Sequence, residues 1–240
     1  MLPLNAMRRN RGTPYVTYLL LFANILVFLW ELTLSPSALG QAFYSLALVP
    51  CDVGSLPIYE VVLDAFRSMF FHGSWLHLLG NMLFLVIFGV HVEEYFGSKM
   101  FLFFYIVAGF GSALLHTLIN AGQCTLFGGG AVPVIGASGA IAGVMGAFLL
   151  LYPGVRIRTI TLFNRLPIGT AKINALVYLG LYFVMDVIDG LLPFFDLPAT
   201  RPGVAVWGHI GGFLVGLLFT FVATMFKAAP KVDPLSHLDE

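Results

Sequence analysis

The stretch Val134–Phe148 reads VIGASGAIAGVMGAF, and Ser138 carries its only hydroxyl group. Glycines recur in it at every third or fourth position, a spacing that lets neighbouring helices approach closely in a membrane. A lone serine in such a helix most often bonds back to a carbonyl of its own helix. Taken alone, the stretch therefore predicts a packing helix. Whether Ser138 is a packing residue or a nucleophile depends on other parts of the chain.

The composition indicates an integral membrane protein. Hydrophobic residues make up 59% of the 240 residues and charged residues only 10%, whereas soluble domains carry about 25% charged residues. The net charge of zero offers no basic face for nucleic acid. Two cysteines, Cys51 and Cys124, are too few for a disulfide framework. The sequence leaves open whether they pair.

Six apolar segments approach the roughly 20 residues that a helix needs to cross a bilayer. We therefore predict an all-α polytopic membrane protein, a compact bundle of six transmembrane helices. The spans are 15–34, 75–95, 100–121, 138–153, 172–192 and 204–226. They form one domain over 15–226, between an N-terminal segment, 1–14, and a C-terminal tail, 227–240.

The distribution of positive charge predicts the orientation. Ten of the twelve Lys and Arg residues fall on one side of the six-span arrangement, and only Arg67 and Arg201 fall on the other. Because cytoplasmic loops carry an excess of Lys and Arg, both termini are predicted to be cytoplasmic. The outward-facing loops are then 35–74, 122–137 and 193–203.

A few polar side chains lie within the apolar segments, where they are costly and usually functional. His77 and Asn81 stand at i and i+4 and share one face of the second span. His209 lies in the sixth span, and Ser138 opens the fourth. At a rise of about 1.5 Å per residue, all four reach a similar depth in the outer half of the bilayer.

Small residues predict that these side chains meet. Gly139 and Gly143 on the fourth span, and Gly212 and Gly216 on the sixth, form faces that allow close packing. Such packing would bring His209 to Ser138 as a general base. We expect a Ser–His dyad rather than a triad, because no Asp or Glu is expected at that depth. Asn81 and the free N–H groups at the start of the fourth helix would supply an oxyanion hole.

Three motifs, each on the expected span, carry a resemblance to a known family. GASG at 136–139 resembles a GxSG motif, GHIGG at 208–212 followed by Gly216 resembles HxxGxxxG, and HLLGN at 77–81 resembles HxxxN. GVHVEEYFGSKMF at 89–101 resembles the end of the family's second helix, with Glu93 at its acidic position. Over roughly residues 66–220, the chain resembles the rhomboid family of intramembrane serine proteases.

The resemblance implies cleavage of single-span membrane proteins in or near the outer leaflet. By it, Ser138 attacks the scissile carbonyl and His209 acts as base and then as acid. Asn81, His77 and the Ser138 N–H group support the oxyanion, and Gly136 helps to set Ser138 below the membrane surface. No cofactor or metal is implied, and membrane lipids are the other partner. We expect the protein in a bacterial cell membrane, with its site open to the extracytoplasmic side. An organellar membrane is the alternative that the sequence leaves.

The chain departs from the family pattern at Ala142, where some members carry an aromatic residue that stacks on the histidine. We expect Trp207 or Phe71 to position the His209 ring instead. The remaining polar residues receive structural interpretations. We expect an interfacial His72, solvated or helix-capping Asp186 and Asp189, and Glu93 and Glu94 that satisfy loop amides.

Two other functions stay open beside the protease. A catalytically idle rhomboid-like protein that binds membrane clients would be expected to lack Ser138 or His209, and this chain has both. A transporter would need ionisable residues through both leaflets, whereas the inner halves of the fourth and sixth spans are apolar. The HExxH zinc motif is absent from the sequence.

Overall fold

The computed structural model describes residues 2–8, 12–121, 132–163, 166–195, 197–201 and 203–226. Cys124 and the predicted C-terminal tail, 227–240, lie outside these residues. The limits of the predicted domain stay a prediction.

Within the described residues the chain is mostly helical. An N-terminal strand precedes the first helix, and two further strands separate α7 from α8. The helices are α1 Tyr15–Glu31, α2 Pro36–Leu46, α3 Ile58–Ser68, α4 Trp75–Phe84, α5 Val90–Phe96, α6 Ser98–Asn120, α7 Ser138–Leu151, α8 Ala175–Leu191 and α9 Val206–Phe226. A π-helical turn, Leu85–Gly89, joins α4 to α5. Short 3₁₀ turns occupy Pro50–Asp52 and Leu192–Phe195.

Four helices of the described chain are long and apolar enough to cross a membrane: Trp75–Phe96, Ser98–Asn120, Ala175–Phe195 and Val206–Phe226. The helices α1 and α7 are apolar but shorter than 18 residues. The chain is therefore a multi-pass membrane protein. Six spans and their orientation remain a prediction that these lengths do not decide.

Helix α7 forms the centre of the bundle. Every residue from Gly139 to Phe148 is buried. Gly139 and Gly143 lie against both α6 and α9, the close approach that small residues allow between helices in a membrane. Helix α7 packs most extensively against α9, and α6 and α8 also contact it. A central helix does not have to match the full bilayer thickness, which accounts for its 14 residues.

The prediction of an all-α fold was wrong in one respect. Strands β1 Leu2–Ala6, β2 Arg156–Phe163 and β3 Leu166–Asn174 form an antiparallel sheet in the order β1-β2-β3. The β2 sequence, RIRTITLF, has the alternation and β-branched residues of a strand. Helix α8 consequently begins at Ala175, three residues after the predicted start of the fifth span.

The sheet brings two distant segments to one end of the bundle. Leu2 pairs with Ile160 and Ala6 with Ile157, so the N-terminal segment and the α7–α8 connection lie together. At this end Glu93 accepts hydrogen bonds from the N–H groups of Val16 and Thr17 and from the Ser98 hydroxyl. Glu93 thus satisfies backbone amides, although these belong to the first turn of α1 and not to a loop as predicted.

Glu94 forms an ion pair with Arg8, and Cys51 forms a disulfide. Glu94 accepts a hydrogen bond from Arg8 at 2.5 Å, and the Arg8 guanidinium lies 4.4 Å from the centre of the Tyr152 ring. Cys51 is disulfide-bonded, and the other cysteine of the sequence, Cys124, is outside the described residues.

Candidate active site

The segment before α7 is fixed by backbone hydrogen bonds to the first long connection of the chain. The N–H of Val134 donates to the carbonyl of Leu48, and the N–H of Gly136 donates to the carbonyl of Ser68, both at 2.8 Å. Gly136 has a φ of +120°, a conformation that side chains other than glycine rarely adopt. This turn delivers Ser138 to the first position of the helix.

Interdigitated glycines bring α7 and α9 together. Cβ atoms placed on Gly212 and Gly216 would collide with the backbone of Gly139 and Gly143 respectively. Backbone therefore lies against backbone at this crossing, the geometry that small residues allow. The faces predicted from the sequence are the faces in contact.

Where α7 begins, at one end of this crossing, the two candidate catalytic side chains meet. Nε2 of His209 lies 2.8 Å from Oγ of Ser138, which is hydrogen-bond distance. His209 is buried and Ser138 partly exposed. A serine hydroxyl bonded to a histidine nitrogen is the arrangement in which the imidazole can take the hydroxyl proton during nucleophilic attack.

His77 and Asn81 lie beside Gly136, on the other side of the serine segment. A Cβ atom on Gly136 would be 2.6 Å from His77 Nε2 and 3.7 Å from Asn81 Nδ2. Both side chains therefore face the turn that leads into Ser138. The first N–H groups of α7 lie directly after this turn and have no partners within the helix. These groups are suitable donors for a developing oxyanion.

The interpretation of His72 as an interfacial residue was wrong. Its side chain is buried, with Nε2 2.9 Å from the Asn81 amide nitrogen and Nδ1 3.0 Å from the carbonyl oxygen of Phe70. Because a carbonyl only accepts, Nδ1 carries the proton, and Nε2 accepts from Asn81. Burial, with a smaller contribution from His77, lowers the pKa of His72 to about 4. One N–H of the Asn81 amide is thus engaged, and the other has no partner among the described residues.

Asp186 and Asp189 are not solvated, contrary to the expectation from their place near the end of α8. Both carboxylates are buried and both bind Arg201, Asp186 at 2.6 Å and Asp189 at 3.1 Å. The N–H and hydroxyl of Thr200 also donate to Asp189. Partial burial alone would lower the pKa of Arg201, but its hydrogen bonds to the two carboxylates raise it overall.

Asp186 also faces the candidate base. Its Oδ2 lies 3.4 Å from Nδ1 of His209, although the two atoms are not aligned as a hydrogen bond. Among the described residues, that buried nitrogen has no hydrogen-bond partner. The expectation that no acidic residue reaches this depth was therefore wrong.

The aromatic neighbour of His209 is Tyr182, not Trp207 or Phe71. The Tyr182 ring centre lies 6.3 Å from that of His209, with 32° between the planes. Trp207 packs against Phe194, and Phe71 packs against aromatic residues of the first connection and α1. Tyr182 on α8 thus lies beside the His209 ring. Ala142, at the position where some family members carry an aromatic residue, cannot stack on it.

The residues missed by the sequence analysis carried one usable signal. Asp186 and Asp189 stand at i and i+3 on one helix face, and Arg201 follows in a stretch with few other charges. Opposite charges in apolar surroundings are usually paired.

Among the described residues, no group of three or more His, Cys, Asp or Glu side chains is placed to hold a metal ion.

Comparison with known proteins supports the family suggested by the three motifs. The family model described as the rhomboid domain matches residues 59–226. RHOMBOID-like protein 1 of Arabidopsis thaliana is 30% identical over 71% of this chain and 37% of its own length. RHOMBOID-like protein 5 of the same plant is 31% identical over 68% of this chain and 44% of its own length.

These relatives are longer than the chain, and a further relative is named as inactive. The chain spans about a third to a half of the length of the curated relatives it matches. Inactive RHOMBOID-like protein 8 of Arabidopsis thaliana is 27% identical over 71% of this chain and 40% of its own length. The match to the family model covers more than half of the chain and includes all three motifs. The chain belongs to the rhomboid family.

Proposed function

We propose that the chain is an intramembrane serine endopeptidase that cleaves single-span membrane proteins in or near the outer leaflet. The observation that carries the proposal is the 2.8 Å contact between Ser138 Oγ and His209 Nε2. Family membership alone is insufficient, because one relative is named as inactive.

In the proposed reaction, Ser138 Oγ attacks the scissile carbonyl carbon while His209 Nε2 takes the hydroxyl proton. The negative charge on the carbonyl oxygen is stabilised by the N–H groups at the start of α7 and by the free N–H of Asn81. His77, beside Gly136, borders the same position. The proton on Nε2 then passes to the leaving amine, and water hydrolyses the acyl-enzyme by the same steps.

We further propose six spans, with both termini cytoplasmic and the site open to the extracytoplasmic side of a bacterial cell membrane. The charge distribution supports this orientation, and so does the sheet that joins residues 2–6 to the α7–α8 connection. The disulfide at Cys51 supports an oxidising compartment on the outer side. Substrates and lipids are the expected partners, without a cofactor.

The alternative is a catalytically idle protein that binds membrane clients. The relative named inactive keeps this function open for a member of the family. The alternative predicts no reaction at Ser138 with reagents specific for activated serines.

Labelling with a fluorophosphonate in detergent tests the proposal. We expect wild type to be labelled and Ser138→Ala and His209→Ala to lose labelling. Ser45→Ala, at an exposed serine of α2, is the matched control and should label as wild type does. The same four proteins in liposomes should show the same pattern of cleavage of a synthetic single-span substrate. Wild type that neither labels nor cleaves, or Ser138→Ala that does both, would reject the proposed function.

A further inference from the structure

A buried acidic pair on α8 lies behind the candidate base. The side chains of Asp186 and Asp189 are 2% and 1% exposed, and Asp186 Oδ2 is 3.4 Å from His209 Nδ1. This nitrogen is opposite the one that contacts Ser138. The three side chains thus follow one another as carboxylate, imidazole and hydroxyl.

We propose that Asp186 is the positioning residue for His209, held in place by Arg201. The inference rests on the proposed protease function and adds a third member to its dyad. Asp186 does not touch the substrate. It acts on the orientation and charge of the imidazole.

The chemistry requires such a group. When Ser138 transfers its proton to Nε2, the imidazole becomes a cation with a proton on each nitrogen. The Nδ1 proton then faces a carboxylate, which stabilises the cation and fixes the ring plane. Asp186 keeps its negative charge throughout, and the transferred proton leaves from Nε2 with the amine.

The present distance agrees with this role. A contact of 3.4 Å is longer than the usual N–H···O hydrogen bond of about 2.9 Å. Catalytic hydrogen bonds are often long before substrate binds and shorten in the reacting complex. The buried Nδ1 has no hydrogen-bond partner among the described residues, so this nitrogen loses no described hydrogen bond when it pairs with Asp186.

The ion pair with Arg201 explains why a buried carboxylate is held at this position. Arg201 binds Asp186 through Nη2 and Asp189 through Nε, and Thr200 donates twice to Asp189. The charge of Asp186 is therefore partly balanced, and its rotamer is fixed by a partner in the segment before α9. The same segment leads into the helix that carries His209.

The two aspartates provide a matched pair of variants. Asp186→Asn and Asp189→Asn each remove one negative charge beside Arg201, and each amide can still accept a hydrogen bond from it. Of the two aspartates, only Asp186 has a carboxylate oxygen within 4 Å of a His209 ring nitrogen. A purely structural role of the acidic pair would therefore affect both variants similarly, whereas a positioning role affects Asp186→Asn alone.

The experiment measures kcat and KM on a synthetic single-span substrate, the rate of fluorophosphonate labelling and the melting temperature. For Asp186→Asn we expect a fall of about 10- to 100-fold in kcat and in the labelling rate, with KM unchanged. This is less than the roughly 10⁴-fold loss for an aligned triad carboxylate, because the resting contact is long. For Asp189→Asn we expect kcat within about twofold of wild type.

Active wild type with equal kcat in the two variants would overturn the role of Asp186 and leave the proposed function intact. Inactive wild type would overturn both proposals. If Asp186→Asn does not fold, Asp186→Glu replaces it, since this variant keeps the charge beside Arg201 but displaces the carboxylate. A lower kcat at unchanged KM would then support the proposal, and wild-type kcat would overturn it.

Discussion

Gly212→Ala tests whether the close approach of α7 and α9 holds the candidate dyad together. A Cβ at position 212 would lie 2.8 Å from the carbonyl carbon of Gly139 and closer still to its oxygen. Non-bonded carbon atoms rest at about 3.5–4.0 Å, so the helices must separate by roughly 1 Å at the crossing. The obstructing atoms are backbone and cannot rotate away.

The displacement acts directly on the candidate site. Gly139 follows Ser138, and Gly212 lies three residues after His209, so the separation opens the 2.8 Å contact between the two side chains. A misplacement of about 1 Å costs about 100-fold in rate. Overpacking of this kind costs about 1–3 kcal/mol in the free energy of unfolding.

The assay compares the rate of fluorophosphonate labelling and the melting temperature in one detergent. Gly180→Ala is the matched control, because a Cβ at this position of α8 meets no described atom within 4 Å. We expect Gly212→Ala to lose about two orders of magnitude in labelling rate and to melt earlier, and Gly180→Ala to do neither. A Gly212→Ala protein with wild-type labelling and melting would refute the packing argument.

Two further predictions concern buried polar groups. Glu93→Gln should lower the free energy of unfolding by about 1.5–3 kcal/mol, because its carboxylate accepts several hydrogen bonds that an amide cannot all accept. Glu60→Gln on α3 is the control, and equal melting temperatures would contradict the prediction. His72 has a folded pKa of about 4 against 6.5 when unfolded, so the unfolded state binds the proton more tightly and stability falls as pH falls below 6.5. Between pH 7 and pH 5 we expect the free energy of unfolding to fall by about 2 kcal/mol. This fall should be absent from His72→Gln, and a variant whose stability depends on pH as the wild type does would contradict the prediction.

The sequence predicted the elements whose signal is local. An apolar helix with glycines at regular spacing predicts a close crossing, and the motifs around Ser138 and His209 lie at the ends of two such helices. The α7–α9 crossing follows from residues within each helix. The small residues of α7 let α6 and α9 pack closely against it, which accounts for its burial in the bundle.

The missed features depend on partners in other elements of the fold. Strand β2 has one partner, β1, about 150 residues earlier, although its other partner, β3, follows it directly in a hairpin that was also missed. Asp186 was expected in solvent because its partner Arg201 comes from the segment beyond the helix. His72 was assigned to the interface because its bond to Asn81 joins a loop to a helix. Periodicity describes one element at a time and does not identify such pairs.

The pairing of Leu2 with Ile160 imposes an order on synthesis and assembly. At about 5–20 residues per second, β1 leaves the ribosome roughly 10–30 s before its partner strand. During that interval its backbone donors and acceptors lack their final partners, a state that favours wrong pairing. The sheet can close only after α1, α4–α5, α6 and α7 have been made. Its closure therefore marks the point at which the first four apolar helices are complete.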